Sequence, residues 1–234
     1  MKLIEIRRYE MLVRVNAFGV AHADAFPASS GGGQLFAALN TVVGALEAHV
    51  VAQAGSKNAA REGSSAKTAA GDHLRQQLTT LARTAKVATA GTPGLAEKFR
   101  VPKSHSEQRL VAAARAMVQD ATPFADAIVS HNLPPTFFAD VTAAIDSFEA
   151  SIQAHATAKE ARAAAGAGIT QELAAGRTIV RQLDSVVPNQ CGGDVPALAE
   201  WKAARRVLLF NIPIRRQPAE PSPAPMPTPV PQPA

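Results

Sequence analysis

Two long stretches of this chain repeat one hydrophobic pattern. The pattern uses Phe36, Leu39, Val43, Leu46 and Val50 in the first stretch, and Phe138, Val141, Ile145, Phe148 and Ile152 in the second. The alternating steps of three and four residues place each set on one face of an α-helix, with a period near 3.5 residues. The pattern therefore predicts two long helices, each of which buries one face.

Proline, glycine and serine clusters separate these helices from shorter ones. The predicted helices are 3–25, a long helix from about 34 to 89, 104–131 with a break at Pro123, a long helix from about 137 to Pro188, and 194–209. Ser29 or Ser30 and Asp194 are the expected N-caps, because serine and aspartate side chains accept hydrogen bonds from free helix amides. Gly55, Gly63 and Gly71 are positions at which the first long helix could break, since each costs about 1 kcal/mol relative to alanine.

The two long stretches align without a gap at an offset of 102 residues. The matched pairs outside the opening pattern are Glu47 and Glu149, Lys57 and Lys159, Arg75 and Arg177, and Leu81 and Leu183. We interpret this as an internal duplication of a short-helix/long-helix hairpin, comprising residues 3–89 and 104–187. The alternative is a chance alignment of two alanine-rich amphipathic helices.

The expected fold is all-α, an elongated antiparallel up-down bundle in a single domain over residues 1–210. Each short helix is expected to cover the first half of the long helix that follows it, so that the first halves form a four-helix core. The second halves, 55–87 and 157–187, would then extend beyond this core. They would pack against helix 194–209 and the linker 91–102, with Phe99 and Trp201 as large apolar anchors.

The composition agrees with a helical protein. Hydrophobic residues make up 47% of the 234 residues but aromatic residues only 5%, which favours helices over a β-sandwich. The net charge of +5 is mildly basic, and Cys191 is the only cysteine, so no disulfide forms within the chain. No signal peptide and no membrane-spanning stretch are expected, and the predicted location is the cytoplasm.

The middle of the predicted seam is polar where a core would be apolar. Lys57 lies there on the first long helix, and Lys159 and Arg162 lie there on the second. Three interpretations stay open: a solvated stretch, a polar layer that fixes the register, or an anion pocket built by these three cations.

The sequence offers no catalytic motif, and we expect a protein that is not an enzyme and uses no cofactor or metal. The histidines lack the Glu-x-x-His spacing of helical di-iron proteins. The stretch SSGGGQ, residues 29–34, precedes a helix and could hold a phosphate, but an interhelical turn is the favoured interpretation. Weak nucleic-acid binding is a further alternative, with Arg205 and Arg206 as candidate contacts.

Residues 211–234 form a proline-rich tail that cannot pack a core and is expected to be disordered and extended. It would act as a spacer or a docking strip for a partner protein, or simply be solvated. Arg215, Pro218 and Pro221 fit the pattern that SH3-like grooves bind.

Three segments, YEMLVRV, GTPGLAEKFRVP and LAEWKAARR, together with the tail, resemble an uncharacterised set of bacterial all-helical proteins. The resemblance spans most of the chain and implies an intracellular helical protein. It implies no activity and no catalytic residue.

The function that these observations favour is an interaction or scaffold protein, in which a rigid bundle and a tail bind an unknown protein partner. The alternative is a weak nucleic-acid or anion binder that uses the basic residues of the bundle middle and the paired arginines. A homodimer is compatible with either, because coiled-coil-like helices also pair between chains.

Overall fold

The computed structural model describes residues 1–89, 97–102 and 106–208. This part of the chain is all-α, as predicted, and contains no strand. The proline-rich tail lies outside the described residues, and with it the candidate docking residues Arg215, Pro218 and Pro221.

The helices follow the predicted order with different boundaries. They are α1 (Leu3–Ala21), α2 (Gly31–Ala88), α3 (Glu107–Ala121), α4 (Ala125–Val129), α5 (Phe137–Gln190) and α6 (Val195–Ala204). The break expected at Pro123 is a 3₁₀ turn, Thr122–Phe124, between α3 and α4. Asp194 caps α6 as predicted, since its side chain accepts a hydrogen bond from the Ala197 amide.

The glycine triplet is helix rather than loop. Helix α2 begins at Gly31, and the Ser30 side chain accepts a hydrogen bond from the Gly33 amide, so Ser30 is the N-cap. A side chain at Gly33 would place its Cβ only 2.1 Å from the Pro27 carbonyl oxygen. Glycine is therefore required here by the close approach of the preceding chain, and the triplet forms the first turn of α2.

Both long helices are continuous. Helix α2 passes through Gly55, Gly63 and Gly71 without a break, and α5 continues past Pro188 to Gln190. At 1.5 Å per residue their lengths are about 87 and about 81 Å.

The two long helices run antiparallel along most of their length. Gly63 of α2 packs against the His155 backbone, Gly71 packs against Phe148, and Gly32 packs against Val186. Residue numbers therefore rise on α2 as they fall on α5.

Two separate hydrophobic cores lie at opposite ends of this pair. One core joins α1, the first half of α2, the second half of α5, and α6. The other joins the second half of α2 with α3, α4 and the first half of α5. The expectation that the first halves share one four-helix core is therefore wrong, and so is the expectation that the second halves project beyond it. The antiparallel pairing brings each first half against the other helix's second half.

Phe99 and Trp201 are large buried anchors, as predicted, but they do not share one end. Each is 2% exposed; Phe99 lies in the core with α3, and Trp201 lies in the core with α1. Each ring therefore packs in the core of a different end of the molecule.

The two ends match at the offset of 102 residues. Buried positions of one end recur at the other as the pairs Leu12 and Ala114, Val15 and Met117, Leu39 and Val141, Val43 and Ile145, Leu46 and Phe148, and Leu81 and Leu183. The range of α1 shifted by the same offset, 105–123, overlaps α3. The molecule thus has an approximate two-fold arrangement of its halves, as a duplicated hairpin would have, and the duplication itself stays a prediction. Phe36 is buried, whereas its counterpart Phe138 is half-buried because its neighbour Phe137 fills the core position.

The sequence analysis expected no stretch that could span a membrane, but one segment of α2 meets that description. An 18-residue stretch of this helix has a mean hydropathy of 1.6, and by length and composition alone it could cross a membrane. Helix α2 also supplies Phe36, Leu39, Val43 and Leu46 to a core, and 28% of the apolar stretch is buried within the protein.

Candidate functional site

The middle of the molecule is a waist, defined here as residues 50–68 of α2 and 150–168 of α5. Small residues allow the two helices to approach closely. A Cβ at Gly63 would lie 3.3 Å from the His155 Cα, and one at Gly166 would lie 3.5 Å from the Gln53 side chain. Ser56 is buried here, with its hydroxyl donating to the Gln53 carbonyl.

The antiparallel register brings two of the three predicted anion contacts together. Lys57 and Arg162 line one cleft, with Met1, Ile6, Tyr9, Val50, Gln53 and Ala54, and its volume is about 550 Å³. Lys159, the third predicted contact, is exposed and does not line this cleft. Lys67, further along the same seam, pairs with Glu107 at the start of α3.

Of the paired arginines after α6, Arg205 has a side-chain partner within the protein, and Arg206 is held through its backbone carbonyl. The Arg205 guanidinium lies 2.9 Å from Asp184 Oδ1, and the Arg206 carbonyl accepts a hydrogen bond from Arg14 at 2.7 Å. Both contacts fasten the end of α6 to α5 and α1. A nucleic-acid phosphate would have to compete with Asp184 for Arg205.

The two glutamates that match at the offset of 102 residues each contact a residue of the neighbouring short helix. Glu47 accepts a hydrogen bond from the Tyr9 hydroxyl at 3.1 Å, and Glu149 pairs with Arg115 at 2.8 Å. Burial raises the pKa of Tyr9 above its ordinary value, and the hydrogen bond to Glu47 adds to that rise. These carboxylates therefore connect helices. Within the described residues no group of histidine, cysteine and acidic side chains could hold a metal ion.

Cys191 is buried beside the end of α5. Burial raises the pKa of its thiol, and the negative charge of Asp194 adds to the rise. A thiol in this environment is a poor nucleophile, because the thiolate is the reactive form.

Sequence reasoning missed an apolar groove between α3, α4 and α5. Its volume is about 710 Å³, and it is lined by Val118, Thr122, Ala125, Asp126, Val129, Pro135, Phe138, Ala139, Thr142, Ala143 and Asp146. Five of these residues come from the segment 122–136, which has no equivalent helix between α1 and α2. The proline break after α3 was the available signal, because it ends the helix and starts a second short one beside α5.

No protein-family model, no curated protein and no solved structure matches this chain. The class that the fold defines is an all-α protein of two long helices with a core at each end.

Proposed function

We propose that this protein is a non-catalytic interaction or scaffold protein of the cytoplasm, and that the groove between α3, α4 and α5 is its docking surface. The observation that supports it best is the groove lining. Phe138, Val118 and Val129 present apolar surface, while Asp126 and Asp146 are exposed. None of the described residues that line the groove is a lysine or an arginine. Binding sites are usually concave and mostly apolar, with a few polar groups that fix the orientation of the ligand, and this groove has that form.

The negative charge of the groove indicates the kind of partner that would bind there. Two aspartates beside apolar side chains complement a peptide segment that is apolar and carries arginine or lysine. We therefore propose a partner protein that docks such a segment, with the proline-rich tail at residues 211–234 acting as a tether.

The chain itself supplies a suitable probe, the peptide LFNIPIRRQP with the sequence of residues 209–218. This peptide is apolar at its beginning and carries Arg215 and Arg216, which is the chemistry that the groove would select.

Fluorescence anisotropy of the labelled peptide with the full chain tests the proposal. We expect saturable binding that weakens in Asp126→Asn and Asp146→Asn and is lost in Ala143→Arg, which fills the groove from an exposed position. Asp24→Asn, an exposed aspartate at the other end, is the matched control and should bind as the wild type does.

Equal weakening by Asp24→Asn, or binding that survives Ala143→Arg, would place the peptide elsewhere and refute the docking surface. The tether is tested separately by deletion of residues 213–234. Unchanged capture of a native partner by the deletion variant would argue against a role for the tail.

A further inference from the structure

The cleft at the waist differs from the docking groove in both position and charge. It lies where the beginning of α1 meets the middle of α2 and α5, and Ile6, Tyr9 and Val50 form one wall. Its volume of about 550 Å³ falls within the range of about 300–1,000 Å³ that small-molecule sites occupy.

Two cationic side chains, both exposed, line this cleft from different helices, in addition to the Met1 amine. Lys57 comes from α2 and Arg162 from α5, and neither makes an ion pair with any residue in the described ranges. Among the residues that the structure describes, no aspartate or glutamate lines the cleft. On the polar side, the Met1 amine donates a hydrogen bond to Gln53 Oε1 at 2.8 Å, which holds the beginning of α1 against α2.

The approximate two-fold arrangement provides an internal comparison. At an offset of 102 residues, Ile6, Tyr9 and Val50 correspond to Gln108, Val111 and Ile152, and these three line a second cleft of about 370 Å³. Arg115 and Glu149 also line that second cleft, where they neutralise each other in an ion pair. The counterpart of Lys57, Lys159, does not line this second cleft, and Ala60 stands at the counterpart of Arg162, so the same wall exists without these two cations beside it.

We propose that this cleft is a binding site for a small organic phosphate ester, with Lys57 and Arg162 holding the phosphate and the wall of Ile6, Tyr9 and Val50 contacting an apolar substituent. An arginine guanidinium donates two parallel hydrogen bonds to phosphate oxygens, and a lysine ammonium adds a point charge. A single cleft beside an apolar wall suits a small molecule better than nucleic acid, whose backbone needs a line of cations.

Isothermal titration of the full chain with phenyl phosphate, inorganic phosphate and a 20-base-pair DNA duplex tests this proposal. We expect one saturable site for phenyl phosphate, with weaker binding of inorganic phosphate because it lacks the apolar group. Lys57→Gln and Arg162→Gln should each weaken phenyl phosphate by about tenfold or more, as the loss of one charge-assisted contact does. Lys159→Gln is the matched control, since Lys159 is the equivalent lysine of the other half, and its affinity should stay within about twofold of the wild type.

Three results would overturn the proposal. The first is no saturable binding of phenyl phosphate, and the second is a loss of phenyl phosphate affinity in Lys159→Gln equal to that in Lys57→Gln. The third is that Lys57→Gln and Arg162→Gln weaken binding of the DNA duplex but leave binding of phenyl phosphate unchanged. If either variant loses its helical circular dichroism, the wild type decides the question by NMR. Phenyl phosphate should then shift the methyl resonances of Ile6 and Val50, and shifts confined to other methyl groups would refute the site.

Discussion

Replacing glycines of α2 by alanine tests whether this helix is continuous, on which the long axis and the waist both depend. At Gly44 and Gly55 an added Cβ would have no atom within 4 Å outside its own stretch of helix. Alanine is about 0.8–1.0 kcal/mol more favourable than glycine within a helix. Each single replacement should therefore stabilise the protein by about that amount.

The two sites are far enough apart for their effects to add. Eleven residues of helix separate them by about 16 Å, so the double variant should gain about 2 kcal/mol. For a folded domain of about 200 residues, each kcal/mol corresponds to about 2–4 °C in Tm. The expected rise in Tm is thus about 4–8 °C, measured by circular dichroism at 222 nm during heating.

Gly71 is the matched contrast within the same helix. A Cβ there would lie 3.0 Å from Phe148 Cε2, and Phe148 is buried in the core with α3. Overpacking of a core costs about 1–3 kcal/mol, which offsets the gain in helix propensity. Gly71→Ala should therefore leave the protein unchanged or destabilise it by up to about 2 kcal/mol.

A fall in Tm for Gly55→Ala would refute a continuous helix at that point, because a glycine in a break has a backbone conformation that alanine opposes. A rise in Tm for Gly71→Ala as large as that for Gly44→Ala would refute the close packing of α2 on α5.

Three further predictions concern the ends of the molecule. Phe99→Ala and Trp201→Ala should each cost about 3–5 kcal/mol in urea unfolding, because both rings are buried; a cost below about 1 kcal/mol would contradict the two-core arrangement. Asp194→Ala should cost about 1 kcal/mol through loss of the α6 cap, whereas an unchanged urea midpoint would show that the cap is dispensable. Cys191 should react with Ellman's reagent at pH 8 at least about tenfold more slowly in the native protein than in guanidinium, since burial and a raised pKa both reduce exposed thiolate; equal rates would disprove its burial.

The sequence predicted the helices well because their period is a local property. The steps of three and four residues located α2 and α5, and Ser30 and Asp194 marked two helix starts through their capping chemistry. Phe99 and Trp201 could be predicted as anchors because aromatic side chains make up only 5% of this chain.

The hydrophobic pattern could not show which half of one long helix packs against which half of the other. A hydrophobic stripe specifies which face is buried but not which stripe it meets, and the stripes of α2 and α5 keep one phase through both ends. Pairing the first halves with each other satisfied the pattern as well as the observed pairing of Phe36 with the end of α5. Leu81 and Leu183 are buried in either arrangement, so their apolar character could not distinguish the two.

The approximate two-fold arrangement allows the two ends of the molecule to be compared. Residues that match at both ends are needed for packing, whereas features present at one end only are not. Positions that match at both ends, such as Leu39 and Val141, supply the cores and would be expected in any protein built this way. The segment 122–136 forms the docking groove and has no counterpart helix after α1, and the cationic cleft at Lys57 has a counterpart neutralised by an ion pair. Both proposed sites therefore lie where the halves differ, and packing the two cores explains neither difference. Binding would account for an apolar groove lined by aspartates at one end, and for a lysine and an arginine at the waist that form no ion pair within the described part of the chain.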